Sequence, residues 1–444
     1  MRRSQRGQPG YRFVDHLARW LEPVPGLLTL STALLAGAAG CTGSNAPAST
    51  EPSSAEAPSI EVMHWLTSTR DDSALAVLRN ALVTRGGIWR DTPMPDAGST
   101  GRATAVSRIV GGQSPDVFQF SLGSQLDELA AQHLAAAVPG DSSAWHTFFP
   151  AAIDRAASFQ GQHIAVPIDI RGENWLFYNT AVLRDAGVAV PRSWPEFLAA
   201  AATLKAKGKI PLALGGQPWQ ERILFNAVLL GIGGRDLYRR LYERSDHTAL
   251  QTDALLRVFE TFGSLRDYVD QGSPGRRWNH TTKLVTSGQA AFQIMGDWAK
   301  DEIIAAGMHP GVEIGCVLAP ATEEAYIMLV DVFAFAPTTN TATKSGQLLF
   351  ARVVQDPLVQ VEFTRRLGAI PARTDAPKEG FDSCSARAME VVRNADSQLM
   401  DPSLLLPGGL AGAIDDTLAR FWHDRNLTPS RGRELLRETF LTYQ

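Results

Sequence analysis

Short apolar segments typical of β-strands alternate with helical patterns along the chain from residue 59 onward. The clearest strand candidates are 59–65, 116–120, 164–170 and 326–336, the last of which has the length of a strand pair. Strands that alternate with helices favour an α/β fold with a largely parallel sheet covered by helices. A chain of 444 residues is too long for one ordinary core, so the sequence predicts two α/β lobes.

Two of these strand candidates, 164–170 and 326–336, are expected to carry the chain between the lobes. A few strand-terminal residues suffice as hinges for lobe closure. Residues 87–100 are rich in Gly, Pro and Asp and are expected to form a loop. The predicted boundaries are 59–168 with a return segment at 332–375 for lobe 1, and 169–331 with a C-terminal helical part at 376–444 for lobe 2.

The first 41 residues have the features of an export signal that ends in a cysteine. Three arginines within the first six residues precede the apolar stretch 26–40, which is short for a membrane span. The sequence AAGC ending at Cys41 resembles a bacterial lipoprotein processing site, although Ala38 stands where leucine is usual. We therefore predict a signal peptide at 1–41 and lipidation of Cys41. A signal peptide cut elsewhere and a start codon further downstream are the alternatives.

Residues 42–58 consist mainly of Ser, Ala, Pro and Glu without apolar periodicity, so they cannot bury a core. A flexible linker of this kind would let an anchored domain stay in solution. We expect an extracytoplasmic protein, in the periplasm or at the cell surface, anchored in the membrane through Cys41. Cys316 and Cys384 either form a disulfide in that oxidising compartment or are two small buried residues, and the second reading is slightly favoured.

Charge and motif content argue against nucleic acid as a partner and against catalysis. The formal net charge is −4, and no strongly basic stretch is present to neutralise phosphates. The sequence lacks His-Glu-x-x-His, Gly-x-Ser-x-Gly, Gly-x-x-x-x-Gly-Lys-Ser/Thr and Cys-x-x-Cys, and its nine histidines lack metal-ligand spacing. We predict that the protein is not an enzyme and holds no cofactor or metal. An enzyme acting on a glycoside is the minority alternative.

Tryptophans next to polar residues point to a carbohydrate ligand. Trp65, Trp219, Trp278 and Trp298 lie near predicted strand ends or helix starts. A sugar ring has an apolar face that stacks on aromatic rings and an edge of hydroxyls that binds carboxylates and amides. Each tryptophan taken alone is more often a packing residue.

Several short motifs together carry a family resemblance. The motifs are GGQSPDVFQ (111–119), AVPI (165–168), GQAAF (288–292), MGDW (295–298) and MLVD (328–331). In their order and spacing they resemble the extracellular solute-binding proteins of bacterial ABC sugar importers, most of all the glucose/mannose-binding subgroup. The resemblance runs from about Ile60 to the C-terminus. It implies a two-lobe periplasmic-binding-protein fold with hinge strands, an interlobe cleft that closes on a sugar-like solute, docking on ABC permease subunits, and a monomer.

The resemblance also implies which residues would bind the ligand. Trp298 would stack on the sugar ring, and Asp331 would accept hydrogen bonds from its hydroxyls, which a carboxylate does more strongly than a neutral acceptor. The full predicted ligand-binding set is Trp65, Gln119, Ser121, Trp278, Trp298, Asp331 and Arg373.

This chain departs from the subgroup at several polar positions. Leu66 replaces a second tryptophan, Ser121 a basic residue or histidine, Leu367 a lysine and Pro407 a histidine. Arg171 is a candidate replacement contact, to which we give little weight. These changes indicate a roomier, more apolar pocket for a larger, modified or less polar solute. A lipid-anchored sensor or interaction protein with this fold, and a degenerate binding protein without a ligand, are the alternatives.

Overall fold

The computed structural model describes residues 57–67, 69–94 and 99–443. These residues belong to one compact unit, Ala55–Gln444. The predicted signal peptide, Cys41 and nearly all of the predicted linker lie outside the described residues. Within the described part of the chain, no helix combines the length and apolarity that crossing a membrane requires.

The described residues form thirteen strands and sixteen α-helices. The strands are β1 Ser59–His64, β2 Ile88–Pro93, β3 Val117–Ser121, β4 Ser158–Phe159, β5 Gln162–His163, β6 Ala165–Gly172, β7 Trp175–Asn179, β8 Ile210–Leu212, β9 Ala290–Met295, β10 Ile314–Leu318, β11 Tyr326–Phe335, β12 Ile370–Pro371 and β13 Gln398–Met400. The helices are α1 Thr69–Thr84, α2 Ser99–Val110, α3 Ser124–Ala131, α4 Ala151–Ala156, α5 Thr180–Ala186, α6 Trp194–Ala206, α7 Pro218–Tyr242, α8 Asp253–Leu265, α9 Trp278–Thr286, α10 Ala299–Ala305, α11 Thr341–Gln355, α12 Pro357–Leu367, α13 Ser383–Val392, α14 Pro402–Leu405, α15 Gly408–His423 and α16 Pro429–Thr442.

Helix α6 shows how local sequence sets the elements. Its cap, Ser193, has extended backbone, and its hydroxyl accepts a hydrogen bond from the Glu196 amide at 3.4 Å. Its buried side chains recur at helical spacing and form one apolar stripe against the core: Trp194, Phe197, Ala201 and Leu204. The serine cap and the apolar stripe together account for where this helix begins and which face it buries.

Two mixed β-sheets form the cores of two lobes. The first sheet has the order β12-β6-β11-β3-β1-β2, with β13 also paired to β11, and the second has the order β10-β7-β9-β8. Helices α1, α11 and α12 pack on the first sheet. Helix α7 packs on β9 of the second sheet and forms a helical group with α8, α15 and α16. This arrangement confirms the predicted α/β fold with two lobes.

The predicted parallel character of the sheets is wrong. In the first sheet, β1 runs parallel to β2 and β3, but β11 is antiparallel to β3 and β6. The reason is that β11 is one ten-residue strand that returns directly from the second sheet, and not the predicted strand pair. The expected loop at 87–100 also contains β2, whose exposed edge position leaves no apolar alternation in its sequence.

The chain crosses between the sheets beside both predicted hinge strands. Strand β6 ends at Gly172 in the first sheet and β7 begins at Trp175 in the second, while 319–325 connect β10 back to β11. The Asn174 side-chain amide donates to Thr322 Oγ1 and to the Ala325 carbonyl, both at 3.0 Å. The two crossings are therefore tied to each other by hydrogen bonds.

A buried ionic network lies beside these crossings. Arg222 of α7 contacts Glu173 at 3.3 Å, Asp401 more closely, and Asp415 at 2.9 Å. Burial and the neighbouring Asp401 charge raise the pKa of Glu173 well above its usual value. Burial acts in the same direction on Asp401, but Arg222 outweighs it and holds the pKa of Asp401 low. The pair therefore keeps one proton on Glu173, and Arg222 balances the remaining charges.

Of the two alternatives for the cysteines, the structure has the disulfide. Cys316 of β10 and Cys384 in the first turn of α13 are bonded, with their Cα atoms 5.9 Å apart. The slightly favoured reading of two unpaired cysteines is thus wrong. Sequence spacing failed because 68 residues separate the pair, and only the packing of α13 against the second sheet brings them together.

Candidate functional site

Four of the predicted ligand-binding residues lie close together at the carboxyl ends of β1 and β3 in the first sheet. Trp65 follows β1, Gln119 and Ser121 lie on β3, and Asp331 of β11 pairs with Ser121 across the sheet. Gln119 Oε1 accepts a hydrogen bond from the Trp65 amide at 3.2 Å, and Gln119 Nε2 donates to Asp331 Oδ2 at 3.3 Å. One glutamine therefore orients both the backbone at Trp65 and the Asp331 carboxylate.

Strand β6 adds charged residues to this group. Asp169 lies opposite Asp331, whose amide donates to Asp169 Oδ1 at 3.3 Å, and Arg171 Nε lies 3.4 Å from Asp169 Oδ2. The register between β11 and β6 shifts between Asp331 and Val332. Such an irregularity re-aims side chains at the edge of a site.

Burial controls the charges in this group. It raises the pKa of Asp169 to about 8, opposed by Arg171 and reinforced by Asp331 and Asp297. For Arg171 burial acts against the charged form, but the surrounding carboxylates, Asp169 first among them, outweigh it and raise its pKa. At neutral pH the group thus has a protonated Asp169 beside a charged Arg171.

A reciprocal pair of hydrogen bonds connects β6 to the turn that carries Trp298. The Gly172 amide donates to Asp297 Oδ2 at 3.0 Å, and the Asp297 amide donates to the Gly172 carbonyl at 2.9 Å. Burial raises the pKa of Asp297 to about 6, against the lowering effects of Arg171 and Lys300. The strand end at the first crossing thereby fixes the turn that precedes Trp298.

Tryptophans at the starts of three helices, α7, α9 and α10, lie beside the second sheet. The Trp298 indole lies across the Cα atom of Gly296, since a Cβ placed there would fall within the ring. The Trp219 and Trp298 rings have centroids 6.2 Å apart at an angle of 59°. The Trp278 amide donates to Gln217 Oε1 at 3.2 Å, two residues before Trp219. Trp278 and Trp298 are thus linked through the Trp219 segment.

The structure does not bring Arg373 into this group. Its guanidinium binds both carboxylate oxygens of Asp375 at 2.6 and 2.8 Å, donates to the Gln355 carbonyl at 2.9 Å, and lies 3.7 Å from the centre of the Phe148 ring. None of these partners belongs to the predicted site. A structural role at the end of β12 explains all of these contacts.

Sequence reasoning left out Asp169 and Asp297, gave Arg171 little weight, and named Trp219 without including it in the predicted ligand-binding set. Asp169 and Arg171 alternate with apolar residues in the IDIR sequence of a buried strand. Polar residues at alternate positions of a buried strand all point to one face, which was the available signal. Their pairing with Asp331 depends on register and could not be read from spacing.

The arrangement offers aromatic faces on one side and hydrogen-bonding groups on the other. Among the described residues no cluster of three or more side chains suited to a metal ion occurs. A surface cavity of about 310 Å3 lies elsewhere, lined by Gly234 of α7 and the second crossing at 321–325. None of the predicted ligand-binding residues lines that cavity, and the candidate site therefore lies where those residues meet.

Comparison with known proteins identifies the family. Residues 95–341, more than half of the chain, match the family model described as bacterial extracellular solute-binding protein. The chain belongs to this family. Its members are described as binding proteins and not as enzymes, in agreement with the sequence prediction. A probable sugar-binding periplasmic protein of Brucella suis biovar 1 (strain 1330) is 34% identical over 86% of this chain and 92% of its own.

Other similar proteins agree with this assignment. A probable sugar-binding periplasmic protein of Mesorhizobium japonicum (strain LMG 29417 / CECT 9101 / MAFF 303099) is 32% identical over 83% of this chain and 90% of its own. Among solved structures, a chitin oligosaccharide binding protein superposes with a TM-score of 0.73 at 20% identity, over 86% of this chain and 98% of its own. The structural likeness confirms the two-lobe fold of the family.

Proposed function

We propose that the protein is the extracytoplasmic binding subunit of an ABC importer, which captures a carbohydrate between its lobes and delivers it to a permease. The observation that carries the proposal is the connection from Asp331, whose amide donates to Asp169, through 169–172, to Asp297 in the turn that carries Trp298. An acceptor on the first sheet and an aromatic face beside the second are the two kinds of group that a sugar ring requires.

Binding and closure follow from this placement. The sugar would stack on Trp298 and direct hydroxyls to Asp331, which Gln119 orients. Since only a closed arrangement lets the ligand touch both lobes, the ligand stabilises closure by its additional contacts there. The lobes would be built around the first and the second sheet and would rotate about 173–174 and 319–325, because the sequence boundaries at 168/169 and 331/332 fall inside β6 and β11, which both belong to the first sheet.

The ligand is proposed to differ from plain glucose. Ser121, which lies beside Asp331, is a small side chain in place of a basic one. Asp169 and Arg171 introduce a buried pair at the same edge of the sheet. A monomeric protein held at the membrane by lipidated Cys41 would present this site outside the cytoplasm and dock on permease subunits. The relatives named sugar-binding periplasmic proteins support this assignment.

The proposal is tested by titrating the protein with glucose, galactose, xylose, maltose and chitobiose while tryptophan fluorescence and the melting temperature are followed. We expect one sugar to change the fluorescence and raise the melting temperature, because a ligand that binds only the folded state stabilises it. Trp298→Ala should abolish both effects, and Asp331→Asn should move both to sugar concentrations about ten-fold higher or more. Trp89→Phe is the matched control, since Trp89 lies on the edge strand β2 and contacts Phe350. Absence of any response to all five sugars would refute the carbohydrate assignment.

A further inference from the structure

Lys300 is a buried ammonium group two residues after Trp298. Its residue is 1% exposed, and its Nζ donates to Ser385 Oγ at 2.6 Å and to Asp382 Oδ2 at 3.2 Å. Burying an ammonium group costs several kcal/mol, and replacing such a pair with apolar side chains is often neutral. Stability alone therefore does not explain this lysine, whereas a requirement for a fixed position does.

The partners of Lys300 are held by the disulfide. Asp382 is the N-cap of α13, and Ser385 follows Cys384, whose sulfur is bonded to Cys316 of β10. Ser383 packs against Gly311 in the loop before β10. The first turn of α13 is thus attached to the second sheet by a covalent bond and to α10 by an ammonium group.

The other end of α13 contacts the first sheet. Met389 and Val392 line a small cavity together with Ile170 of β6 and Ile370 of β12. Helix α13 therefore contacts both sheets, and Lys300 connects it to the turn that carries Trp298. A shift of its first turn relative to β10 would displace the ammonium group and with it the turn.

The turn itself transmits position from Lys300 to Trp298. The Lys300 amide donates to the Asp297 carbonyl at 3.0 Å, and the Asp301 amide donates to the Trp298 carbonyl at 3.1 Å. Asp297 in turn is fixed to Gly172. The indole is thus attached at one end to β6 and at the other to α13.

We propose that Lys300 is a positioning residue for Trp298, and that the Cys316–Cys384 disulfide maintains this position, so that ligand affinity depends on the oxidation state of the protein. The inference rests on the proposed function, because Trp298 is taken to stack on the ligand. In the reducing step a dithiol such as dithiothreitol supplies two electrons and two protons. The S–S bond breaks, two S–H bonds form, and the dithiol becomes a cyclic disulfide.

The test labels the tryptophans with 5-fluorotryptophan and follows their 19F resonances, with the Trp298 resonance assigned by Trp298→Phe. In the ligand-free protein, Lys300→Met and treatment with dithiothreitol should each shift or broaden the Trp298 resonance. Affinity for the sugar that binds best among the five tested should fall by up to about ten-fold in each case, the effect of losing the aromatic contact of Trp298 with the ligand. The Cys316→Ser/Cys384→Ser variant should match the reduced protein and respond no further to dithiothreitol.

Gln347→Met is the matched control. Gln347 is equally buried and makes two hydrogen bonds of 2.8 Å, to Asp116 and Ala336 in the first lobe. This variant should lose stability without moving the Trp298 resonance. An unchanged Trp298 resonance and unchanged affinity in the reduced protein would overturn the inference, even if Lys300→Met failed to fold. If no sugar binds the unmodified protein, the proposed function fails, and the ligand-free resonance still decides whether Lys300 positions Trp298.

Discussion

Replacing Gly296 with alanine should displace the Trp298 indole. A Cβ at this position would lie 2.5 Å from Trp298 Cε3 and closer still to Cζ3 and Cη2, whereas ordinary contact begins at 3.4 Å. The nearest atoms belong to a large ring, so the ring must leave its position. Overpacking of this kind costs about 1–3 kcal/mol of unfolding free energy.

The same change should weaken ligand binding. A lost aromatic contact is worth about 0.5–1.5 kcal/mol, which corresponds to a roughly two- to ten-fold weaker affinity. The unfolding free energy is measured by chemical denaturation, and the affinity by titration with the best-binding sugar of the panel.

The decisive comparison is a double-mutant cycle with Trp298→Ala. Once the indole is absent, Gly296→Ala has nothing to clash with. The backbone at Gly296 is not in the left-handed region. Alanine should therefore raise the unfolding free energy by about 0.4–1 kcal/mol in this background, because it reduces the conformational entropy of the unfolded chain. The sign of the effect therefore reverses between the two backgrounds. An equal loss of stability in both would refute the placement of the ring over Gly296.

Three further predictions follow from the charges described above. Arg222→Leu should cost about 3–5 kcal/mol of unfolding free energy in chemical denaturation, because the carboxylate of Asp401 stays buried without its partner. Glu173→Gln should leave the unfolding free energy nearly unchanged in the same assay, because Glu173 already holds a proton. Asp169 is protonated in the folded state and ionised in the unfolded state between about pH 4 and 8, so it should contribute a fall in stability of up to about 1.4 kcal/mol per pH unit through this range. Denaturation at several pH values should show that Asp169→Asn makes the slope less steep by that amount, while Glu173 and Asp297, whose pKa values are also raised, keep the remainder. Asp331→Asn should lower sugar affinity about ten-fold or more in a calorimetric titration while leaving the melting temperature of the free protein within a few degrees; an unchanged affinity would exclude it as a ligand acceptor.

Much of the fold could be predicted because the signals are local. Helix α5 begins where the Asn179 side chain caps it and ends at Gly187 in the left-handed region, and both features are visible in the sequence. Strand β2 could not be predicted, because an edge strand with exposed side chains lacks the apolar alternation that reveals buried strands. The direction of β11 also escaped prediction, since direction depends on which sheet the chain returns from.

In the candidate site, too, some residues could be predicted from the sequence and others could not. Trp298 and Asp331 could be proposed from motifs that resemble a known family. The grouping of Asp169 and Arg171 with them depends on the register between β6 and β11, which brings together residues more than 150 positions apart. The disulfide likewise depends on the packing of α13. Contacts that arise from long-range packing leave no periodic pattern in a single sequence.

The hydrogen bonds of Asn174 determine how many ways the lobes can move. Two separate connections could bend, twist and slide with some independence, whereas connections fastened to each other at Thr322 and Ala325 turn together about one shared axis. The passage from β13 of the first sheet to α15 and α16 is a third connection and restricts other movements further. Displacement on closure should then increase in proportion to the distance from that axis. Pairs of probes placed far from 173–174 would report ligand capture with the greatest amplitude, which makes the outer ends of the lobes the best positions for a biosensor label.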